Sequence, residues 1–468
     1  MPTSAKTRTA SRKTSAKTSS GKSGSRSTTA KPSSIAAALG AYLKEKAPAE
    51  DIAAYDGSVL DRAAAFAADA LARHTRGDSV IAVDEDPALL RDGRPFTAIT
   101  AVNDNMPFLF DSIMGEITDI AGEPTLVIHP VFDVRHSKSG VQQIVADGQS
   151  GQAAKGGDTT PDRVSLIHVH VPRLSADQAD RLRERLAKLL EQIRATVRDW
   201  KPMLARLDQA ISQFRYAPIP LDKAAVAEAI AFLEWLRDDN FTFLGMREFS
   251  YSGTEKSGTL KRMKDAGLGI LSDPDVTVLR RDTHSSPTTT EEVRTFLYGP
   301  DPLIVTKANA KSVIHRRAYL DYVGVKTFDA KGKLAGELRI VGLFTSTAYT
   351  RSVVKIPYLR SKAETVIQKL GFDPHDHSGK ALLNVLESYP RDELFQISLP
   401  VLSKNAEAIL NLVDRPRVRV LPRVDQFDGA EHPPRPGGVA HDRVGADPVA
   451  ADRARLVQDA TGVEIGYR

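Results

Sequence analysis

A chain of 468 residues with 41% apolar side chains is long enough for roughly two to four domains with real cores, and its lack of cysteine excludes disulfides, zinc–thiolate sites and thiol catalysis. The formal net charge of +5 belongs to one end: residues 1–34 hold five Lys, three Arg and no acid, and the other 56 basic and 59 acidic residues leave the body at −3. That body gives no electrostatic case for nucleic-acid binding, contains no apolar run long enough to span a membrane and has no signal-peptide core, so a cytoplasmic protein is expected.

Residues 1–34 are Ser, Thr, Lys, Arg, Gly and Ala, with almost nothing to bury, and are expected to be a disordered basic tail. Gly21-Lys22-Ser23 lacks the upstream glycine and the flanking strand of a phosphate loop. Residues 35–94 read as a helical segment, with Ala-rich patterning at 35–46 and 59–73. A strand at 96–102 then runs into a polar turn, Asn103-Asp104-Asn105, and the turn runs into a helix. Pro107 suits the first helical turn, and an Asn or Asp before it can cap the free amides. Met106, Leu109, Phe110, Ile113, Met114, Ile117 and Ile120 recur at helical steps, and Gly122 is placed to end the helix.

Residues 124–134 are β-rich, 137–162 read as a long Gly-, Gln- and Ser-rich loop, and 164–171 as the next strand. Ser175-Ala176-Asp177-Gln178 has the form of a capping box opening a helix with Leu182, Leu186, Leu189, Leu190, Ile193 and Val197 on one side. Strand, helix, strand, strand, helix is the order of a ferredoxin-like β-α-β-β-α-β unit whose last strand must come from elsewhere. Residues 201–238 continue helical, and 241–251 alternate as a strand. A second unit follows: a short strand at 303–306, a hairpin of 315–326 and 336–344 around Asp329-Ala330-Lys331-Gly332, and helices at 356–370, 378–387 and 393–410. Residues 417–421 start one more strand. After Val424 the periodicity vanishes in mid-strand, which reads as a reading-frame error or a truncation.

Several clusters invite a chemical reading. Imidazoles at the spacing of His168 and His170, with His129 on a paired strand, can chelate a metal, but no carboxylate obviously converges and an ordinary polar sheet face is expected. His375-Asp376-His377 lies in a turn-rich connection. His315, Arg316, Arg317, Arg351 and Lys355 could meet an anion, yet strand arginines more commonly pair with acids such as Asp321 and Glu337. Gly267-Leu268-Gly269-Ile270 follows a polar stretch and has no third glycine at the right step, so it is read as a turn and not as a dinucleotide site. The best ligand candidate is Asn103, Asp104, Asn105 and Met106, where helix amides could take an amino acid's carboxylate and Asp104 its ammonium group. No catalytic, cofactor-binding or metal-ligating residue is assigned.

Seven segments together resemble the amino-terminal part of the large, NAD-specific bacterial glutamate dehydrogenases: AVNDNMPFLFDSIMGEI (101–117), SLIHVHVPRL (165–174), FLEWLRDDNFTFLGMREF (232–249), SVIHRRAYLDYVGVKTFD (312–329), GLFTSTAYTRSVVKIPYLRSKAETVI (342–367), KALLNVLESYPRDELFQIS (380–398) and LNLVDRPRVRVLPRVD (410–425). The resemblance implies an α+β fold of tandem ferredoxin-like, ACT-type modules joined by helical linkers. It divides the chain into a disordered tail (1–34), a helical segment (35–94), a first ACT-like module (95–200), a helical linker (201–240), a second ACT-like module with a helical extension (241–412), and a truncated third module with an irregular tail (413–468). It implies a regulatory and assembly role in an enzyme that uses NAD to turn L-glutamate and water into 2-oxoglutarate and ammonia. The NAD site and the reactive lysine of that family lie further along, so this chain is expected to bind no NAD, to be inactive alone, to form homo-oligomers through its ACT-like modules and to sense an amino-acid effector. The alternative is a stand-alone amino-acid-sensing scaffold, which a clean gap in the gene after codon 468 would favour.

Overall fold

The computed structural model describes residues 34–137, 140–147, 161–276, 278 and 291–414. The basic tail, most of the loop expected after 147, the strand expected at 417–421 and the irregular end therefore lie outside the described residues. The chain opens with helices α1 (Ser34–Lys46), α2 (Ala49–Ala53) and α3 (Gly57–Ala72), then strands β1 (Ser79–Asp84), β2 (Leu90–Arg91) and β3 (Arg94–Asp104). Helix α4 (Leu109–Ala121) is followed by β4 (Leu126–Ile128), β5 (Val131–Ser137), β6 (Gly140–Asp147) and β7 (Asp162–Pro172). Helices α5 (Ala176–Arg198), α6 (Trp200–Tyr216) and α7 (Lys223–Trp235) lead to β8 (Phe241–Gly253) and β9 (Gly258–Gly269). After α8 (Glu291–Tyr298) come β10 (Leu303–Lys311), β11 (Tyr319–Phe328) and β12 (Leu334–Phe344). Five helices close the described chain: α9 (Ser346–Thr350), α10 (Leu359–Lys369), α11 (His377–Ser388), α12 (Arg391–Gln396) and α13 (Leu399–Asp414).

The first sheet runs β1-β3-β7-β5-β6, with all pairs antiparallel. Its missing fourth place beside β3 is filled by β1, which precedes the unit instead of following it. Residues 35–94 are therefore not helical throughout, and the loop expected at 137–162 gives up its first part to β6. Proline has no amide to donate, and Pro130 separates β4 from β5; its carbonyl still accepts from Leu166 N at 3.0 Å. Strand alternation divides β3 and β7 between two layers. Ala98, Val102, Val164 and Leu166 meet α1 and α3 and the segment between them, while Ile99, Ala101, Ile167 and Val169 meet α4 and α5.

The second sheet runs β10-β11-β12-β8-β9, again antiparallel. One face packs on the far side of α4 and α5 through Leu244, Leu271, Tyr322, Val341 and Leu343. The other carries Phe241, Phe243, Val323, Val325, Ile340 and Phe344 against α6, α7 and α10–α13. Helices α6 and α7, expected as a linker, thus form part of an outer layer. The described residues stack as helices, sheet, helices, sheet, helices, with α4 and α5 sandwiched in the middle.

A polar tie crosses that middle layer. Glu116 of α4, 2% exposed, forms an ion pair with Arg185 Nε of α5 at 2.5 Å and accepts a hydrogen bond from the guanidinium of Arg317, which precedes β11. Asp119 accepts from Arg185 at 2.7 Å, and that hydrogen bond helps hold its carboxyl below the usual range. Gly115 makes room for the tie, because a Cβ there would stand 3.2 Å from Arg317 Nε. Next door, His315 N donates to Ser112 Oγ at 2.8 Å. Replacing Glu116 with alanine leaves two guanidinium groups facing each other over an apolar layer. Urea unfolding of E116A should show a loss of about 2–3 kcal/mol, and an unchanged midpoint would show that the tie contributes nothing net.

Candidate functional site

The turn singled out by sequence sits at the end of β3, next to β1. Asn103 is buried: its Oδ1 accepts from Ser79 Oγ at 2.5 Å and from Arg194 at 3.3 Å, and its Nδ2 donates to the Asp104 carbonyl at 2.8 Å. Asp104 Oδ2 accepts from Gly77 N at 2.8 Å, and its other oxygen stands 3.6 Å from Nε2 of the buried His74. Asn105 is exposed, and its amide donates to the Arg163 carbonyl at 2.9 Å. Met106 is half-buried against the middle layer.

The helix starts later than Pro107. Its N-cap is Phe108, in the left-handed region at φ 73°, and no side chain caps it. The expected Asn or Asp cap is absent because Asn103 and Asp104 are already engaged with β1 and the residues before it. The first turn of α4 keeps its amides free of any side-chain cap, with Asp111 beside them.

His168 and His170 share one face of β7, as their spacing predicts, under α1–α3 and not under α4. His168 Nδ1 lies 2.8 Å from Thr100 Oγ1, the two Nε2 atoms are 2.9 Å apart, and His170 Nδ1 lies 3.0 Å from Tyr55 Oη. Burial pushes His168 down to about 4 and His170 well below its ordinary value, so both rings are neutral at pH 7. Two neutral rings meeting through Nε2 share one hydrogen, so one donates and the other accepts. His129 points to the opposite face, 2.8 Å from Ser165 Oγ and stacked on Phe110. The three imidazoles do not converge, and among the described residues no three His, Asp or Glu side chains are arranged to hold a metal ion.

The basic cluster also separates. Arg316 donates to the Phe344 carbonyl at 2.6 Å over the Tyr349 ring, Arg317 goes to Glu116, and Arg351 and Lys355 stay exposed. Asp321 pairs with Lys307 at 2.7 Å, not with an arginine, and Lys307 also reaches Asp392 at 3.1 Å. Burial works against the Lys307 ammonium, but Asp321 and Asp392 outweigh it and hold the amine protonated well above the usual lysine range. Glu337 accepts from Arg339 Nε at 3.0 Å and from the Tyr322 hydroxyl. Arg391 donates to the carbonyls of Arg351, Glu387 and Tyr389, and Lys362 donates to three carbonyls at the end of α12. Gly267-Leu268-Gly269-Ile270 forms the end of β9 and a tight turn. Gly269 N donates to Asp199 at 2.9 Å, and a Cβ at Gly269 would meet the Leu244 carbonyl at 2.2 Å, so these glycines serve close strand contact. Lys307, Asp392 and Glu116 escaped the sequence reading, because their partners are distant in sequence or, for Asp392, masked by charged neighbours.

Residues 39–186 match the family described as "Glutamate dehydrogenase, ACT1 domain", and residues 356–415 match "Glutamate dehydrogenase, helical motif 1". NAD-specific glutamate dehydrogenases of Halomonas elongata and Pseudomonas aeruginosa are 34% and 32% identical over 71% of this chain, and that of Mycobacterium tuberculosis is 25% identical over 76%. The chain is related to the amino-terminal region of the NAD-specific glutamate dehydrogenases. It spans about a fifth of the length of these curated relatives, 20% in each case. The ACT1 match covers the first sheet with α4 and the first half of α5; the helical-motif match falls on α10–α13. The second sheet lies between the two. Among the described residues, no helix is long and apolar enough to cross a membrane.

The buried histidines make a pH prediction. An unfolded His168 titrates near its ordinary value and the folded one at about 4, so the unfolded chain binds the extra proton first and stability falls as pH drops through that window. From His168 alone the loss should reach about 3 kcal/mol by pH 4. Urea midpoints measured between pH 7 and pH 4 test this, and a flat profile would contradict it.

Proposed function

We propose that this chain is the regulatory and assembly portion of an NAD-dependent glutamate dehydrogenase. The whole enzyme would convert L-glutamate, water and NAD to 2-oxoglutarate, ammonia and NADH, with the nicotinamide cofactor held outside this chain. The observation that carries the reading is the ACT1 match falling on the first sheet, whose β1-β3-β7-β5 order with α4 and α5 is that of a β-α-β-β-α-β module with its last strand supplied from upstream. We read residues 95–200 and 241–412 as two ACT-like modules that assemble copies of a cytoplasmic protein. In support, the polar groups described above are engaged with one another, which suits a scaffold better than a reaction centre.

On this reading an amino-acid effector binds at the turn 103–106. Asn103 and Asp104 are largely committed to the fold, so Asn105 and the uncapped amides of α4 take its carboxylate. The purified chain, given L-glutamate and NAD, should produce no NADH absorbance above a buffer control; appreciable turnover would overturn the assignment. Asn105→Asp is isosteric and exposed and places a second negative charge at the amides. Calorimetric titration with L-amino acids should show Kd raised about tenfold, or about 1.4 kcal/mol. Equal affinity for both proteins would move the effector elsewhere.

A further inference from the structure

Among the described residues, no carboxylate forms an ion pair with the buried cation Lys326. The lysine lies on β11, opposite Glu337 of β12 in the ladder, and is 1% exposed. Its amine donates to the Gly299 carbonyl at 2.6 Å, just past the end of α8, and stands 5.1 Å from the centre of the Phe296 ring. One acceptor and one ring face are little for three N–H groups. Burial lowers the amine to about 8, with only Asp301 pulling it back. At pH 7.5 roughly a quarter of such an amine is uncharged, against about 0.1% of an ordinary lysine.

The amine adjoins a cavity of about 560 Å³ lined by Tyr251, Tyr298, Gly299, Asp329 and Lys333 as well as Lys326. Asp329 is spent on its own hairpin, accepting from the amides of Lys331 and Lys333 at 2.8 and 2.9 Å. Lys333 is exposed and supplies positive charge at the cavity wall. Two lysines on the wall of one cavity, one of them partly uncharged and the other exposed, describe a place for a small molecule with a carbonyl group and a negative charge.

We propose that Lys326 takes a small 2-oxo acid as an imine in this cavity, with Lys333 receiving the acid's carboxylate. The neutral amine adds to the keto carbon, the carbon–oxygen bond breaks, the oxygen leaves as water with the two amine hydrogens, and a C=N bond forms. No electrons are exchanged, and the step reverses when water returns.

The test traps the imine. The full chain is incubated at pH 7.5 with pyruvate or with propanal, an uncharged carbonyl, and cyanoborohydride, and the labelled peptides are mapped by mass spectrometry. Lys326 should carry the reduced adduct about tenfold faster than exposed lysines such as Lys311, and its rate should rise with pH about a midpoint near 8. Lys326→Arg keeps a cation on the Gly299 carbonyl and must abolish that adduct. Lys333→Gln should slow trapping of pyruvate and spare that of propanal. Adducts spread evenly over exposed lysines would overturn the nucleophile, and equal trapping of pyruvate by K333Q would overturn the carboxylate's place. The Lys333 variant keeps the proposal open to failure even where K326R does not fold.

Discussion

A single carboxylate, Glu116, sits where two sheets share one pair of helices. Burial of Ile113, Ile117, Leu186 and Leu189 supplies attraction, but apolar contact is non-directional and leaves the sheets free to slide. Glu116 adds direction. It can hold Arg185 from its own layer and Arg317 from the far sheet only in one relative placement, since a guanidinium–carboxylate contact demands a fixed geometry. Gly115 belongs to the same constraint, because the guanidinium passes where a side chain would stand. The middle layer is therefore one core with contributions from both sheets, and neither half owns its hydrophobic interior.

Sandwiching a sheet on both faces has a second consequence. Strands β3 and β7 must be apolar on two sides, and any polar residue that lands there has to find its partner inside. Thr100, His168, His170 and Tyr55 solve this by bonding in a chain, with rings that burial holds neutral. In the second sheet the same demand is met with charges: Lys307 with Asp321 and Asp392, and Tyr322 and Arg339 with Glu337. The carboxylates hold Lys307 and Arg339 charged in the interior, while burial pushes Asp321 up and keeps Tyr322 a neutral phenol. Lys326 meets the demand differently, with a carbonyl and an aromatic face, and so gives up part of its charge.

The elements that depend on local pattern were legible. The capping box at Ser175 and Gln178 forms with both hydrogen bonds, Gly122 and Gly371 adopt the positive φ that ends a helix, and Gly332 does so in the hairpin turn. Leu109, Ile113 and Ile117 of the expected stripe are buried on α4, but Phe110 is exposed and stacks on His129, and Met106 precedes the helix. What failed depended on partners distant in sequence. The six residues of β1 carry no clear alternation, because the strand is only half-buried and gets its identity by pairing with β3. Strand β9 includes the polar run Lys261-Arg262-Met263-Lys264, which has no strand signature beyond its register with β8. The start of α4 moved because Phe108 turns left-handed, a conformation no propensity assigns to an aromatic residue. Of the candidate site, the turn's position was legible. The commitment of Asn103 to Ser79 and of Asp104 to Gly77 was not, since Ser79 opens the strand that pattern missed and Gly77 lies in the turn just before it.

Three of the segments that carry the family resemblance meet in the second sheet and its helices: Asp321 and Lys326 from 312–329, Tyr349 from 342–367, Glu387, Arg391 and Asp392 from 380–398. Most of these side chains are spent on the fold. Arg391 binds the backbone that carries Arg351, Asp392 completes the Lys307 pair, and Asp321 also accepts from Phe344 N at 3.0 Å. A charged side chain in these positions is there because a buried charge needs one particular partner and tolerates little else. In this chain the charges in such segments serve the scaffold. Within them Lys326 is the exception, a cation whose partners are a carbonyl, an aromatic ring and a cavity, and that contrast is the reason to look for chemistry there.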